Sequence, residues 1–412
     1  MKRAVLVAAA LVLAPVLAGA CRANEGKPTA IPPAPVAVVL DAGAAAVDAG
    51  APAAVALDAG AAPLPARPPP WTFAVASDIH MPRRNLGVVP ELPRAIAALV
   101  ALRPRFVVIT GDHTNGGDTD DPATVAASGR WWKVFVDQLR PLREAGIPVL
   151  PVAGNHDAYL PGQRAHYAAA FADLAAWVAP LVLNAPVPRG GQVQLDRPPF
   201  SYSVDVDGVH LSLAHVVTQG LHREVAAWLA DDLAKGSAAR LRLVFGHVPM
   251  ASVIQPPNQG FVKTFGALLE AGRAAAYIAG HEHLVWDEDV ALPGGGRLRQ
   301  VLVGCTSGFY NWAPSADSRR RAACAPEAPG APFPLRCRMP NGGGEFRLAP
   351  NKLNQGRVIQ HHLNSFTLIT IDGDRVAEVR PMTVDTAGRA GPFYLDPVGA
   401  GAGSRAPAAT SQ

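Results

Sequence analysis

Five short clusters, Asp78-Ile79-His80, Gly111-Asp112, Gly154-Asn155-His156-Asp157, Gly246-His247 and Gly280-His281-Glu282-His283, hold eight candidates to bind metals or move protons: Asp78, His80, Asp112, Asn155, His156, His247, His281 and His283. Two carboxylates, one amide oxygen and five imidazoles make a donor set suited to zinc, iron or manganese. The lack of a cysteine among them argues against a structural zinc site. One ion takes about four protein ligands, so eight candidates exceed what one ion needs. Two ions sharing a carboxylate, ~3.5–4 Å apart, would use them, and such a pair can clamp the attacking and leaving oxygens of a displacement at phosphorus. The glycines at 111, 154, 246 and 280 are expected to allow the strained turns that bring these ligands together.

Such a set converges only if the chain positions the clusters at one edge. Each follows a short, largely apolar run of strand length: 72–77, 105–110, 148–153, 241–245 and 275–279. Amphipathic segments at 91–102 and 131–145 separate the first three, which predicts a right-handed βαβ series and a parallel sheet. Ligands in open α/β sheets bind at the carboxyl ends of the strands, where all five clusters fall. Runs at 200–205 and 209–215 flank Asp207-Gly208, and runs at 366–372 and 375–384 flank Gly373-Asp374. Both read as hairpins. The expected class is therefore α/β, with a mixed sheet or two stacked sheets.

Asp78-x-His80, Gly111-Asp112, Gly154-Asn155-His156-Asp157, Gly246-His247 and Gly280-His281-x-His283, in this order, resemble the calcineurin-like metallophosphoesterase family. Any one motif is weak, but five in order, each after a strand, are specific. The resemblance implies a four-layer α/β/β/α sandwich over residues 71–387. It implies a first metal held by Asp78, His80, Asp112 and His283, and a second held by Asn155, His247 and His281 with Asp112 bridging. A hydroxide between the two transition-metal ions (Mn, Fe or Zn) would attack a phosphate mono- or diester. His156 would be no ligand, but would face the leaving-group oxygen as the catalytic acid. One departure stands out: the third residue after Asp112 is Asn115, where calcineurin-type phosphatases carry an aspartate behind the catalytic histidine and purple acid phosphatases an iron-binding tyrosine. The purple subgroup is thereby excluded, and His156 lacks a carboxylate on that side.

The remaining histidines have no motif around them. A turn or surface position is expected for His113, packing for His215, and the surface for His166, His210, His222, His361 and His362. Trp228 and Leu229, in an amphipathic segment at 222–235, are expected in the core. The segment 304–360, rich in Gly, Pro and Arg, contains Arg319-Arg320-Arg321, Arg336 and Arg338. It reads as a solvated insertion or as a lid whose guanidinium forks meet phosphate. Cys324 and Cys337 within it could pair, and Cys305 is expected to be a buried thiol.

Composition sets the frame around this domain. All aromatic residues, Phe 13, Trp 7 and Tyr 6, lie at or after Trp71, so the first 70 residues do not make a packed domain. Residues 1–20 carry Lys2 and Arg3 ahead of an uncharged apolar run ending Ala18-Gly19-Ala20, the pattern of a secretory signal. Leu17-Ala18-Gly19-Ala20-Cys21 resembles the lipobox of bacterial lipoproteins, although Ala18 stands where leucine is usual. The resemblance implies acylation of Cys21, a membrane anchor and a cell-envelope location; ordinary cleavage would instead give a periplasmic or secreted protein. Residues 21–70, with Asp-Ala-Gly-Ala at Asp41, Asp48 and Asp58 and a proline-rich end, read as a tether, and 388–412 as a flexible tail. A net charge of +4 from 37 basic and 33 acidic residues is no nucleic-acid footprint. The expected substrate is a phosphoester, and the competing expectation is a non-catalytic surface lipoprotein that uses the same fold to bind a partner.

Overall fold

A computed structural model of the chain describes residues 68–81, 91–117, 119–185, 193–252, 257–283, 285–306, 364–384 and 387–392, with short strands within 311–361. The expected signal segment, the tether up to residue 67 and Arg319-Arg320-Arg321 lie outside the described residues. Residues from Arg67 onward form one compact unit.

In chain order the elements are β1 (Trp71–Ala76), α1 (Glu91–Leu102), β2 (Val107–Thr110), α2 (Pro122–Gln138), α3 (Arg140–Glu144), β3 (Val149–Val152), α4 (Asn155–Ala158), α5 (Pro161–Ala170), α6 (Leu174–Val178), β4 (Val182–Asn184), β5 (Tyr202–Val206) and β6 (Val209–Leu213). Then come α7 (Arg223–Lys235), β7 (Leu241–Phe245), α8 (Gln259–Ala271), β8 (Ala276–Ala279), β9 (Val285–Ala291) and β10 (Arg297–Val303). Five short strands follow: β11 (Asn311–Trp312), β12 (Ala323–Pro326), β13 (Leu335–Arg338), β14 (Glu345–Leu348) and β15 (Gln360–His361). The chain then continues through β16 (Asn364–Asp372), β17 (Arg375–Val384) and β18 (Ala390–Pro392).

Two mixed sheets result, in the orders β18-β17-β16-β1-β2-β3 and β4-β5-β6-β7-β8-β10-β9. β1, β2 and β3 are parallel, as are β6, β7, β8 and β10, while β16–β18 run antiparallel to their neighbours and β5 runs antiparallel to β4 and β6. α1 packs on β16 and β17, and α7 on β6, so helices cover the sheets and the chain has the expected α/β sandwich architecture. Between the sheets Phe73 stacks on Phe106 at 4.9 Å and meets Phe245 edge-on at 6.1 Å, which joins β1 to β7 through the core. β1, β2, β3, β7 and β8 are buried along nearly their whole length. That explains their continuous apolar sequences.

The helix expected over 131–145 starts earlier and divides. The Asp121 carboxylate accepts from the amides of Ala123 at 3.1 Å and Thr124 at 3.0 Å, and Pro122 occupies the first turn. Pro141, lacking an amide hydrogen, falls where α3 starts afresh. A second difference lies beyond residue 387, where a tail is expected: Ala390–Pro392 forms β18 and pairs with β17. Its Ala-Gly-Pro sequence has no alternation that would mark a strand, and the edge of β17 supplies the order. Within 304–360, β12, β13 and β14 form a small sheet whose register places Cys324 opposite Cys337.

Candidate metal centre

The five motifs follow the carboxyl ends of β1, β2, β3, β7 and β8, and their loops extend the ladders beyond the strands. Asp78 N donates to Gly111 O at 3.0 Å and His80 N to Asp112 O at 2.9 Å, which draws the first two motifs together. Gly280 N donates to His247 O at 3.0 Å in the same way. Across the sheets, His281 N points at the Asp78 carboxylate, 3.1 and 3.2 Å from its oxygens, and Thr306 N donates to Ser77 O at 2.8 Å.

Two groups of ligand atoms result. In the first, Asp78, His80, Asp112 and His283 converge: His80 Nε2 lies 3.1 Å from His283 Nε2 and 3.5 Å from Asp112 Oδ2, and His283 Nε2 lies 3.2 Å from Asp78 Oδ1. In the second, Asp112, His247 and His281 converge, with His247 Nε2 3.2 Å from Asp112 Oδ2. Asn155 Oδ1 sits in this second group, 2.9 Å from His247 Nε2 and 3.0 Å from His281 Nδ1. Asp112 therefore belongs to both groups through one oxygen. Its other oxygen, Oδ1, accepts from His156 N at 2.9 Å, and that hydrogen bond turns Oδ2 toward the two imidazoles.

Backbone strain is concentrated on these residues. Asp78, His80, Asp112, His281 and His283 all have φ between 50 and 69°, the left-handed region. Such conformations cost energy and persist where surrounding structure enforces them, characteristically at functional sites. The sequence expectation placed this strain on glycines. Of the four, only Gly111 has a positive φ, at 98°, where a Cβ would also run into His247 Nδ1. A Cβ at Gly280 would strike Ser77 Oγ, so that glycine serves close approach.

Burial and charge shape the donors. Asp78 is 0% and Asp112 2% exposed. Burial alone would raise both carboxyls, but the imidazoles outweigh it, chiefly His283 for Asp78 and His247 for Asp112, and both are held below their ordinary value. Burial pushes His80 down to about 3 and His281 to about 4, so both rings are neutral with a lone pair to offer. Burial also opposes charge on His247 and His283, yet Asp112 lifts the first to about 9 and Asp78 raises the second. Each of these two must surrender a proton before it can coordinate a cation. His247 Nδ1–H donates to Thr110 O at 2.7 Å, a carbonyl that only accepts. That fixes the tautomer and leaves Nε2 on the Asp112 side.

His156 stands beside the first group, its ring edge-on to His80 at 4.8 Å. The missing carboxylate near Asn115 is replaced by the main chain: His156 Nδ1–H donates to Asn115 O at 2.6 Å. Asp157, which follows it, faces away. Its carboxylate accepts from the amides of Gly154 at 2.9 Å, His113 at 3.2 Å and Thr114 at 3.2 Å, and binds His113 Nδ1 at 2.7 Å, so it ties the second motif loop to the third. His113 is accordingly not at a surface turn: it is fully buried, with its ring among Trp132, Phe135, Tyr167 and Phe171. Its position follows a carboxylate 44 residues away, which local sequence does not reveal.

His210, also expected at the surface, is buried between Asp205 and Asp232. His215 is packed inside against Phe200, and Trp228, Leu229 and the Cys305 thiol are buried as expected. Cys305 donates to Asp78 O at 3.0 Å, directly behind the first motif. The side chains of Arg336, Arg338, Cys324, Cys337 and His361, and all of His362, lie outside the described residues.

The nitrogen and oxygen donors, converging in two buried groups with no lysine or arginine among them, suit transition-metal cations. A buried carboxylate pair ringed by imidazoles is costly without a cation and stable around one. The family model for calcineurin-like phosphoesterases matches residues 72–285, over half of the chain. No curated protein matches. Among solved structures, the purple acid phosphatase PPD1 from yellow lupin (Lupinus luteus) is similar with a TM-score of 0.47 and 13% identity, over 77% of this chain and 52% of that one, so this chain spans about half its length. GAP50, the anchor in the inner membrane complex of Plasmodium, aligns at 0.44 and 12% identity over 80% of this chain and 90% of its own. A dimetal phosphatase from Danio rerio aligns at 0.38 and 13% identity over 68% of this chain and 99% of its own. With the match running from the second residue of β1 to the first residue of β9, across all five motifs, the chain belongs to the calcineurin-like phosphoesterase family.

Proposed function

We propose that the protein hydrolyses phosphate monoesters or diesters at a dinuclear metal centre. The observation that carries this reading is the shared oxygen of Asp112, which faces His80 of one donor group at 3.5 Å and His247 of the other at 3.2 Å. Asp78, His80, Asp112 and His283 would hold one ion, and Asn155, His247 and His281, with Asp112 between, the other. When bound, manganese, iron or zinc ions would supply Lewis acidity toward the phosphoryl oxygens and make water acidic enough to act as a nucleophile near neutral pH.

The chain's own groups do the rest. Asp112 is aimed by the His156 amide, and His247 is aimed by the Thr110 carbonyl. With Nδ1–H committed to Asn115 O, His156 has Nε2 as its proton-exchanging nitrogen. We assign it the delivery of a proton to the leaving-group oxygen, a role suited to imidazole near neutral pH. We further propose that residues 1–20 are a signal peptide, that Cys21 is acylated, and that 21–70 tether the domain to a membrane of the cell envelope.

Metal analysis of the purified, reconstituted chain should find about two transition-metal ions per molecule. Asp112→Ala should lose both ions and turnover together. His156→Ala should keep its metal and lose turnover by roughly 10²–10⁴-fold, the usual worth of general acid catalysis. A protein that takes up no metal under any of Mn, Fe or Zn would overturn the reading; loss of metal in His156→Ala would overturn the role given to that residue.

A further inference from the structure

Tyr159 is the only aromatic side chain among the large, strongly exposed hydrophobic residues of the described chain, at 57% exposure. It stands one helical turn beyond His156. Its backbone is helical, with φ −67° and ψ −48°, and its amide donates to Asn155 O at 3.1 Å, so helical spacing continues through it. Residues three apart on a helix share a face, with Cβ atoms about 5–6 Å apart. Tyr159 therefore shares a helix face with the histidine assigned to the leaving group.

The backbone beneath the ring is held firmly. Arg164 Nε donates to Ala158 O at 2.8 Å and its terminal nitrogen to Tyr159 O at 3.0 Å, and the next residue, Leu160, caps α5. An exposed aromatic side chain is therefore carried by a held main chain, on the helix face that also carries His156. Single exposed apolar residues are common on protein surfaces and carry no meaning by number alone. Here position carries the inference.

We propose that Tyr159 is a stacking platform for the leaving group, and that the site favours phosphoesters whose leaving group bears a planar aromatic ring, aryl or nucleoside, over aliphatic esters. This rests on the hydrolytic reading above. Stacking of a base or ring on an aromatic side chain is worth roughly 1–3 kcal/mol, so its removal should read as a selectivity change of about tenfold or more. Arg164 acts here as a positioning residue, through the carbonyls it holds.

The test uses the metal-reconstituted full chain and two readouts. In the first, kcat/KM is measured for phenyl and n-propyl phosphates and for their methyl diesters. Tyr159→Ala should lower the phenyl-to-propyl ratio about tenfold, mainly through KM, and Tyr159→Phe should restore it. In the second, calorimetry compares binding of phenylphosphonate and methylphosphonate, which the enzyme does not cleave. The wild type should prefer the phenyl compound, and Tyr159→Ala should lose that preference. Equal losses on both ester classes, or no phenyl preference in the wild type, would overturn the proposal while leaving the hydrolytic reading standing. A wild type that turns over neither class would overturn the hydrolytic reading and this proposal with it.

Discussion

At His156 a main-chain carbonyl takes the place that a carboxylate fills in calcineurin-type relatives. A carbonyl can only accept, so the Nδ1–H tautomer follows from the 2.6 Å contact with Asn115 O, whatever side chain residue 115 carries. Asn115→Ala should therefore lose at least tenfold less turnover than His156→Ala, and equal losses would show that the asparagine side chain matters. The glycine that follows is the sensitive position. Gly116 has a φ of 57°, and a Cβ there would meet the His156 carbonyl oxygen. Gly116→Ala should cost about 1–3 kcal/mol of stability and reduce turnover, read from denaturant midpoints and steady-state rates. A variant as stable and active as wild type would refute this account of the loop. Asn115 was legible in the sequence as a departure from family pattern. Its compensation was not, because main-chain carbonyls carry no sequence signal.

The β5–β6 hairpin and α7 show the same limit at the scale of elements. The Asp207-Gly208 turn, with φ of 48° and 76°, marked the hairpin in the sequence and forms as expected. What α7 does when it lands on the hairpin was not marked. Asp232 accepts from Ser203 and Ser212 at 2.6 Å each and meets His210 Nε2 at 3.0 Å, while Asp205 meets His210 Nδ1 at 2.7 Å. Burial disfavours charge on His210, but the hydrogen bonds and charges of Asp232 and Asp205 outweigh it and raise its pKa above the ordinary 6.5. A raised folded-state pKa contributes stability that is complete below about pH 6.5 and fades as pH rises through the folded value. The stability difference between wild type and His210→Gln, followed by chemical denaturation from about pH 5.5 to 9, should be largest at the acid end and shrink above 6.5. A difference that stays flat with pH would mean that the imidazolium is not the stabilising form.

For the whole molecule, the decisive division is at Trp71, where aromatic residues begin and β1 opens. If the segment before it is an address and a tether, Cys21→Ala should release the protein from membranes to the soluble fraction and leave the turnover of metal-loaded protein within about twofold, since the residues from Arg67 onward form their own compact unit. Unchanged membrane partitioning would refute acylation. No helix among the described residues is long and apolar enough to cross a membrane. The sequence by itself determined the strands and the candidate metal-binding residues that follow them, because β1, β2, β3, β7 and β8 are buried along nearly their whole length and each breaks into a polar cluster at its carboxyl end. Local pattern suffices for that, since burial and strand ends leave their mark within a few residues. Only the tertiary structure decided that Asp112 faces both donor groups, that Asp157 pins His113 inside the core, and that the left-handed strain falls on five of the candidate metal-binding residues themselves. Those outcomes depend on atoms from segments tens to hundreds of residues apart, brought together when the two sheets pack, and no window of neighbouring residues contains them.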